Sequence, residues 1–296
     1  MGLREKLASG TFIVCGEIGP PKSCDGNVIR EKSQYFKGVV DAVNITDNQT
    51  AIVRLSSIAS AKILLDEGVE PIIQMTCRDR NRIAIQSDLL GAAALGLRNV
   101  LCLTGDHQKF GDQPEAKGVF DLDSIQLIAT VAKMNGGFLL SDQEMKKSPE
   151  FLIGAAANPF AEPFEMRLIR LHKKIQAGAH FIQTQPVFDL NRFMIWMEKV
   201  VELGLHEKCA ILAGVMPVKS EKALLHMKKE VPGVRIDDAY IDRLKNARDP
   251  KDEGVKIAVE IIKSLQKIKG VRGIHIMPVM WESITPLLIK ESGLIS

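Results

Sequence analysis

No two cysteines in this chain form a Cys-x-x-Cys pair: the five stand apart at Cys15, Cys24, Cys77, Cys102 and Cys209. That spacing argues against a disulfide framework, a zinc ribbon or an iron–sulfur cluster held by this chain alone, and it fits a reducing cytoplasm. None of the six histidines pairs with another as His-x-x-x-His, so no catalytic metal is expected. No apolar run approaches the roughly 20 residues of a membrane span, and the amino-terminal apolar stretch is too short for a signal peptide. A soluble protein is therefore the expectation. The net charge of +3 is mild and no block of Lys or Arg carries interleaved aromatics, so nucleic acid is not expected as a partner. Internal repeats, low-complexity tracts and linkers are also missing, which favours one domain over residues 1–296.

What the chain does contain is ordinary globular composition, 46% hydrophobic and 25% charged over 296 residues, enough for a sizeable core. Short apolar runs rich in β-branched residues recur at 11–16, 39–45, 70–76, 99–103, 151–157, 180–184, 210–215 and 273–277. Their length and composition predict buried parallel strands. Helix-period segments lie between them, among them 51–67, 80–95, 121–133, 165–177 and 190–203, each long enough for a right-handed crossover. Eight such units predict a closed (β/α)8 TIM barrel of the α/β class. Two stretches break the regularity. Residues 107–120, HQKFGDQPEAKGVF, read as a long loop after the fourth strand, and 220–230, 237–246 and 251–269 read as three helices where one crossover suffices.

Polar residues fall where the apolar runs stop: Glu17, Thr46, Gln74, Asp106 and Gln185. In a parallel barrel those stops converge on one mouth. Glu17 lies in GEIGPP (16–21), where flanking glycines and a Pro-Pro step fix the backbone. There it is either a general acid held in apolar surroundings or a surface acid in a turn. Asp106 ends LTGD (103–106). Gly105 admits close approach of a ligand, and the carboxylate either binds a donor group or caps the next segment. In AGAHFIQTQP (177–186), strand alternation points Gln183 and Gln185 the same way, as amides able to read a ring or as structural side chains.

These segments, with the strand 211–215 running into Met216-Pro217-Val218, resemble in order and spacing the methylenetetrahydrofolate reductases over nearly the whole chain. The likeness is to the short bacterial form without an added regulatory domain, similar to forms from anaerobic one-carbon metabolism. It implies a flavin enzyme, with FAD or FMN, that reduces 5,10-methylenetetrahydrofolate to 5-methyltetrahydrofolate in the cytoplasm. By that resemblance Glu17 is the general acid and Asp106 a flavin-adjacent catalytic aspartate that also contacts the pterin, while Gln185 contacts the folate. Thr46, Gln74, Thr104, Gly105, Asp106, Asn158 and Lys174 fall on flavin-contact positions, with Lys174 suited to phosphate or ribityl oxygens.

Departures from the family pattern are also present. Gln74 replaces a His, Thr104 an Arg, Asn158 a Tyr and Arg167 an Asp, and the family has a His near Glu162. Several of these positions bear on the choice between FAD and FMN. The aromatic that stacks on a nicotinamide donor aligns near Glu221, yet VMPVKSEKA (215–223) has no aromatic residue. Trp281 replaces an Arg at the exit of the last strand and offers a ring for substrate stacking or an indole for packing. The expectation is an electron donor in the form of an iron–sulfur or flavoprotein subunit, and an oligomeric assembly. Two alternatives remain open: a flavin-binding electron-transfer subunit inactive with NAD(P)H alone, and a non-flavin barrel lyase.

Overall fold

Eight strands pair in chain order, β1 through β8, and β8 returns to β1, closing the barrel with every ladder parallel. The computed structural model describes residues 1–231 and 233–294. The strands are β1 (Ile13–Ile18), β2 (Ala42–Ile45), β3 (Pro71–Thr76), β4 (Asn99–Leu103), β5 (Leu152–Ala157), β6 (Phe181–Pro186), β7 (Ala210–Val215) and β8 (Val271–Ile276). All eight expected runs are present, with shifted ends. β1 begins later and continues through Glu17, because residues 15–18 pair in register with 42–45. β6 likewise extends to Pro186, so Gln185 belongs to the strand, beyond an irregularity in its pairing with β7.

The helices are α1 (Leu3–Ala8), α2 (Asn27–Ser33), α3 (Ser57–Asp66), α4 (Arg82–Ala94), α5 (Ser124–Asn135), α6 (Phe164–Gln176), α7 (Leu190–Glu202), α8 (Leu205–Lys208), α9 (Glu221–Glu230), α10 (Asp238–Asn246), α11 (Pro250–Leu265) and α12 (Thr285–Glu291). Asparagine and aspartate side chains accept backbone N–H bonds at several helix starts, such as Asn81 on α4 and Asp249 on α11. The helix expected over 51–67 begins only at Ser57. Asn48, Thr50 and Ala51 have positive φ, and Arg54 is tied to the Asn48 side chain and to the Pro20 carbonyl, so this stretch is a loop of the mouth. The three helices after β7 form as expected. α11 packs on β7 and β8 and serves as the crossover, while α9 and α10 pack in series outside it.

Two apolar cores hold the barrel. The larger lies between strands and helices, and the smaller fills the barrel interior with Ile13, Cys15, Ala42, Ile72, Leu101, Leu152, Phe181 and Leu212. Leu3 of α1 joins the inner core, and α1 is fixed across the amino-terminal strand ends by Leu3 N–H to Glu70 and Arg4 to the Glu150 carbonyl. Phe181 demands a glycine opposite: a Cβ on Gly154 would lie 2.2 Å from its ring. One end of the barrel is thus plugged with hydrocarbon, and polar side chains collect at the other.

Candidate functional site

Inward-facing positions in the upper half of the strands build the floor. Glu17 on β1 is 11% exposed, and its Oε2 accepts from Gln74 Nε2 of β3 and lies against His275 Nε2 of β8, each at 3.2 Å. His275 Nδ1 is 3.2 Å from Asn44 Nδ2 of β2, and the same Nδ2 donates to the Gly16 carbonyl at 3.3 Å. Glu17 Oε1 has no protein hydrogen-bond partner among the described residues. Neither amide atom of buried Gln183 has one, nor does the hydroxyl of buried Thr46. Such groups cost free energy unless a ligand or water satisfies them.

The wall over β2–β4 is ionic. Buried Asp47 accepts from Thr76 N–H and Oγ1, both at 2.9 Å, and from Arg80 Nη1 and Nη2 at 2.7 and 3.2 Å. Arg80 also bonds Asp88. Buried Arg78 joins three loops, donating to Asp79, to the Asn48 carbonyl and to the Asp106 carbonyl. Gly105 sits on this frame at φ +94°, where a Cβ would meet Arg78 Cβ at 3.0 Å and Thr76 Cβ at 3.1 Å. Thr104 accepts Ser124 N–H at 3.1 Å and so helps start α5. Asp106 is exposed, and its carboxylate makes no hydrogen bond among the described residues.

Between the ends of β5 and β6 and helix α6 lies a cavity of about 170 Å³, lined by Asn158, Gln185, Arg167, Arg170 and Lys174 among others. Three cations and no carboxylate face it, which suits a phosphate group. Lys174 is 9% exposed and donates to the Ala156 carbonyl at 2.5 Å. Burial first, and Arg170 second, push its ammonium down to about 8. Arg167 donates to the carbonyls of Glu162 and Pro163, and Asn158 Oδ1 accepts from Phe160 and Ala161 N–H while its NH2 packs against Gly233, where a Cβ would lie 2.3 Å away.

Gln74 and Glu17 therefore touch; Asn158, Lys174 and Gln185 line one cavity; Thr104, Gly105 and Asp106 form one loop edge. Trp281 is half-buried on the loop after β8, with Lys219 Nζ 5.4 Å from its ring centroid. Sequence reasoning missed Asn44, His275, Arg170 and the Asp47–Arg80 pair. Asn44 and His275 carried a readable signal, since each is a polar residue at an inward position of an apolar strand. Among the described residues, no group of three or more His, Cys, Asp or Glu side chains converges as metal ligands, and no helix is long and apolar enough to cross a membrane.

The floor, the glycine-edged wall and the cationic cavity fit a flavin: an orphaned Thr46 hydroxyl for a ring edge, Gly105 for close approach, and the cations for phosphate. A family model described as methylenetetrahydrofolate reductase matches residues 2–293. Methylenetetrahydrofolate reductase 1 of Schizosaccharomyces pombe is 26% identical over 243 residues, covering 79% of this chain and 37% of that protein. The 5,10-methylenetetrahydrofolate reductase of Pectobacterium carotovorum subsp. carotovorum is 27% identical over 214 residues, covering 70% of this chain and 64% of that one. The chain spans less than half the length of the fission-yeast and nematode relatives that it matches, 37% and 42%. An uncharacterized protein from Clostridium thermocellum, described as binding two copies of 5-methyl-5,6,7,8-tetrahydrofolic acid, superposes with a TM-score of 0.65 at 16% identity, covering 99% of this chain and 98% of that one. A 2,3-dimethylmalate lyase superposes at 0.52 and 12% identity, covering 99% and 83%. At such identities these likenesses speak for the fold alone.

Proposed function

Because the chain belongs to the methylenetetrahydrofolate reductase family, we propose that it is a flavin-dependent oxidoreductase reducing 5,10-methylenetetrahydrofolate to 5-methyltetrahydrofolate, with Glu17 as general acid. The observation that carries this reading is the Glu17 carboxyl, held at the barrel floor with Gln74 Nε2 and His275 Nε2 on one oxygen while the other has no protein partner among the described residues. A bound reduced flavin supplies a hydride. Glu17 delivers a proton to N10 of the substrate as the N10–methylene bond breaks, and the electron pair of that bond stays on N10. The resulting 5-iminium carbon is where the hydride that a reduced flavin would supply makes the methyl group. Asp106, exposed at the rim, contacts pterin and flavin, and Gln185 and Trp281 contact the folate.

Thr46, Gln74, Thr104, Gly105, Asp106 and Asn158 would hold the flavin, and Lys174 its phosphate. FAD and FMN both present phosphate to the same cations. The segment 215–223 offers no ring on which a nicotinamide would stack, which supports delivery of electrons by an iron–sulfur or flavoprotein subunit within an oligomeric assembly.

Glu17→Gln is the direct test. The flavin absorbance at about 450 nm should persist, while oxidation of the reduced flavin by methylenetetrahydrofolate should slow by about 10²-fold or more. A colourless wild-type protein, or a Glu17→Gln variant oxidised at the wild-type rate, overturns the reading.

A further inference from the structure

Resting on that reading of Glu17, we propose that His275 is a positioning residue, locked by Asn44 in the tautomer that carries its proton on Nε2, and that it confines the proton of the acid to Glu17 Oε1. His275 and Asn44 are both buried, inward-facing residues of β8 and β2 that flank β1. The Asn44 NH2 group reaches two acceptors, the Gly16 carbonyl at 3.3 Å and His275 Nδ1 at 3.2 Å. Turning the amide over would set Oδ1 against the Gly16 oxygen, two acceptors face to face, so the NH2 stays where it is. Nδ1 must then be the unprotonated nitrogen, and the neutral ring carries its hydrogen on Nε2, 3.2 Å from Glu17 Oε2.

Gln74 Nε2 donates to the same oxygen at 3.2 Å. Two N–H groups thus converge on Oε2, and a hydroxyl hydrogen on that oxygen would meet both of them. The protonated acid must place its hydrogen on Oε1, the oxygen without a protein partner among the described residues. His275 touches neither the hydride acceptor nor N10 in this scheme. Its effect is on where the acid proton stands and which way it points, and a misaimed donor loses rate without losing affinity.

Two substitutions separate orientation from packing. His275→Gln carries an amide NH2 out to the position of Nε2 and keeps the donor to Glu17, whereas His275→Asn reaches only as far as Nδ1 and loses it. In the flavin-loaded protein, His275→Asn should slow flavin oxidation by methylenetetrahydrofolate by about tenfold to a hundredfold, with KM within about twofold and an unchanged flavin spectrum. His275→Gln should recover most of the rate. Oxidation of His275→Asn at the wild-type rate, or equal impairment of both variants, overturns the proposal. Should either variant fail to fold, 15N-histidine NMR of the wild-type protein decides: Nε2–H with unprotonated Nδ1 is expected, and a proton on Nδ1 overturns it. A normal rate in His275→Asn beside a crippled Glu17→Gln defeats this inference alone. A normal rate in Glu17→Gln defeats the acid reading itself.

Discussion

Lys174 offers a case in which ligand affinity and stability pull in opposite directions, and Lys174→Met measures both. Burial, reinforced by Arg170, lowers its ammonium from the ordinary 10.5 to about 8, a bias of about 3 kcal/mol against the charged form in the flavin-free protein. Methionine has similar length and no charge, and it forgoes the bond to the Ala156 carbonyl, worth about 1 kcal/mol. The variant should therefore be more stable by about 2 kcal/mol at pH 7, which raises Tm by a few degrees. The sign comes from proton counting. Between pH 8 and 10.5 the unfolded chain binds the lysine proton and the native protein does not, so native stability climbs with pH through that window. The advantage of methionine is full below about pH 8, shrinks across the window and is gone above 10.5. Flavin retention should move the other way, weakening by about tenfold or more as the phosphate loses one of its three cations. Thermal unfolding of flavin-free protein at pH 7 and pH 10.5, with cofactor release followed by fluorescence, gives both readouts. Equal destabilisation of Lys174→Met at both pH values would refute the reasoning and leave Lys174 a packing residue.

Arg80→Met should destabilise the protein by about 3–5 kcal/mol in urea titration, because buried Asp47 then keeps only the two Thr76 donors; a loss under about 1 kcal/mol would mean that water replaces the guanidinium. If electrons arrive through a partner subunit, NADH and NADPH should reduce the flavin of the isolated chain only slowly, whereas a strong chemical reductant should reduce it at once. Rapid anaerobic bleaching of the 450 nm band by either nucleotide would defeat the partner hypothesis. The Glu17 and His275 substitutions complete the set, and both are read through flavin oxidation.

The barrel was legible because parallel strands buried on both faces write themselves as short apolar runs, and eight runs separated by helix-length segments leave few alternatives. Strand ends were less legible, since pairing carries β1 through Glu17 even though the apolar run stops earlier. α1 gave no periodic signal in six residues; what makes it structural is the docking of Leu3 onto the inner core, a tertiary fact. Glu17, Gln74, Asp106 and Gln185 stood out as candidates because each is a polar side chain at the carboxyl end of an apolar run. The Asp47–Arg80 pair could not, because its members are 33 positions apart and each alone reads as a solvated charge.

The two halves of the barrel interior serve opposed ends. Phe181, Leu3 and their neighbours fill the lower half with hydrocarbon, and that burial offsets what the upper half costs. Above them, the Gln183 amide and the Thr46 hydroxyl are buried with no protein partner among the described residues, and an unsatisfied group of this kind costs about 1–3 kcal/mol. Lys174 adds a charge held against burial. A ligand that satisfies these groups recovers the same free energy on binding, so the features that weaken the empty protein are the ones that would strengthen its grip on the proposed flavin ring and phosphate. Substitutions that relax the upper half should stabilise the fold and loosen the ligand together, while substitutions in the plug should lower stability and leave affinity almost unchanged.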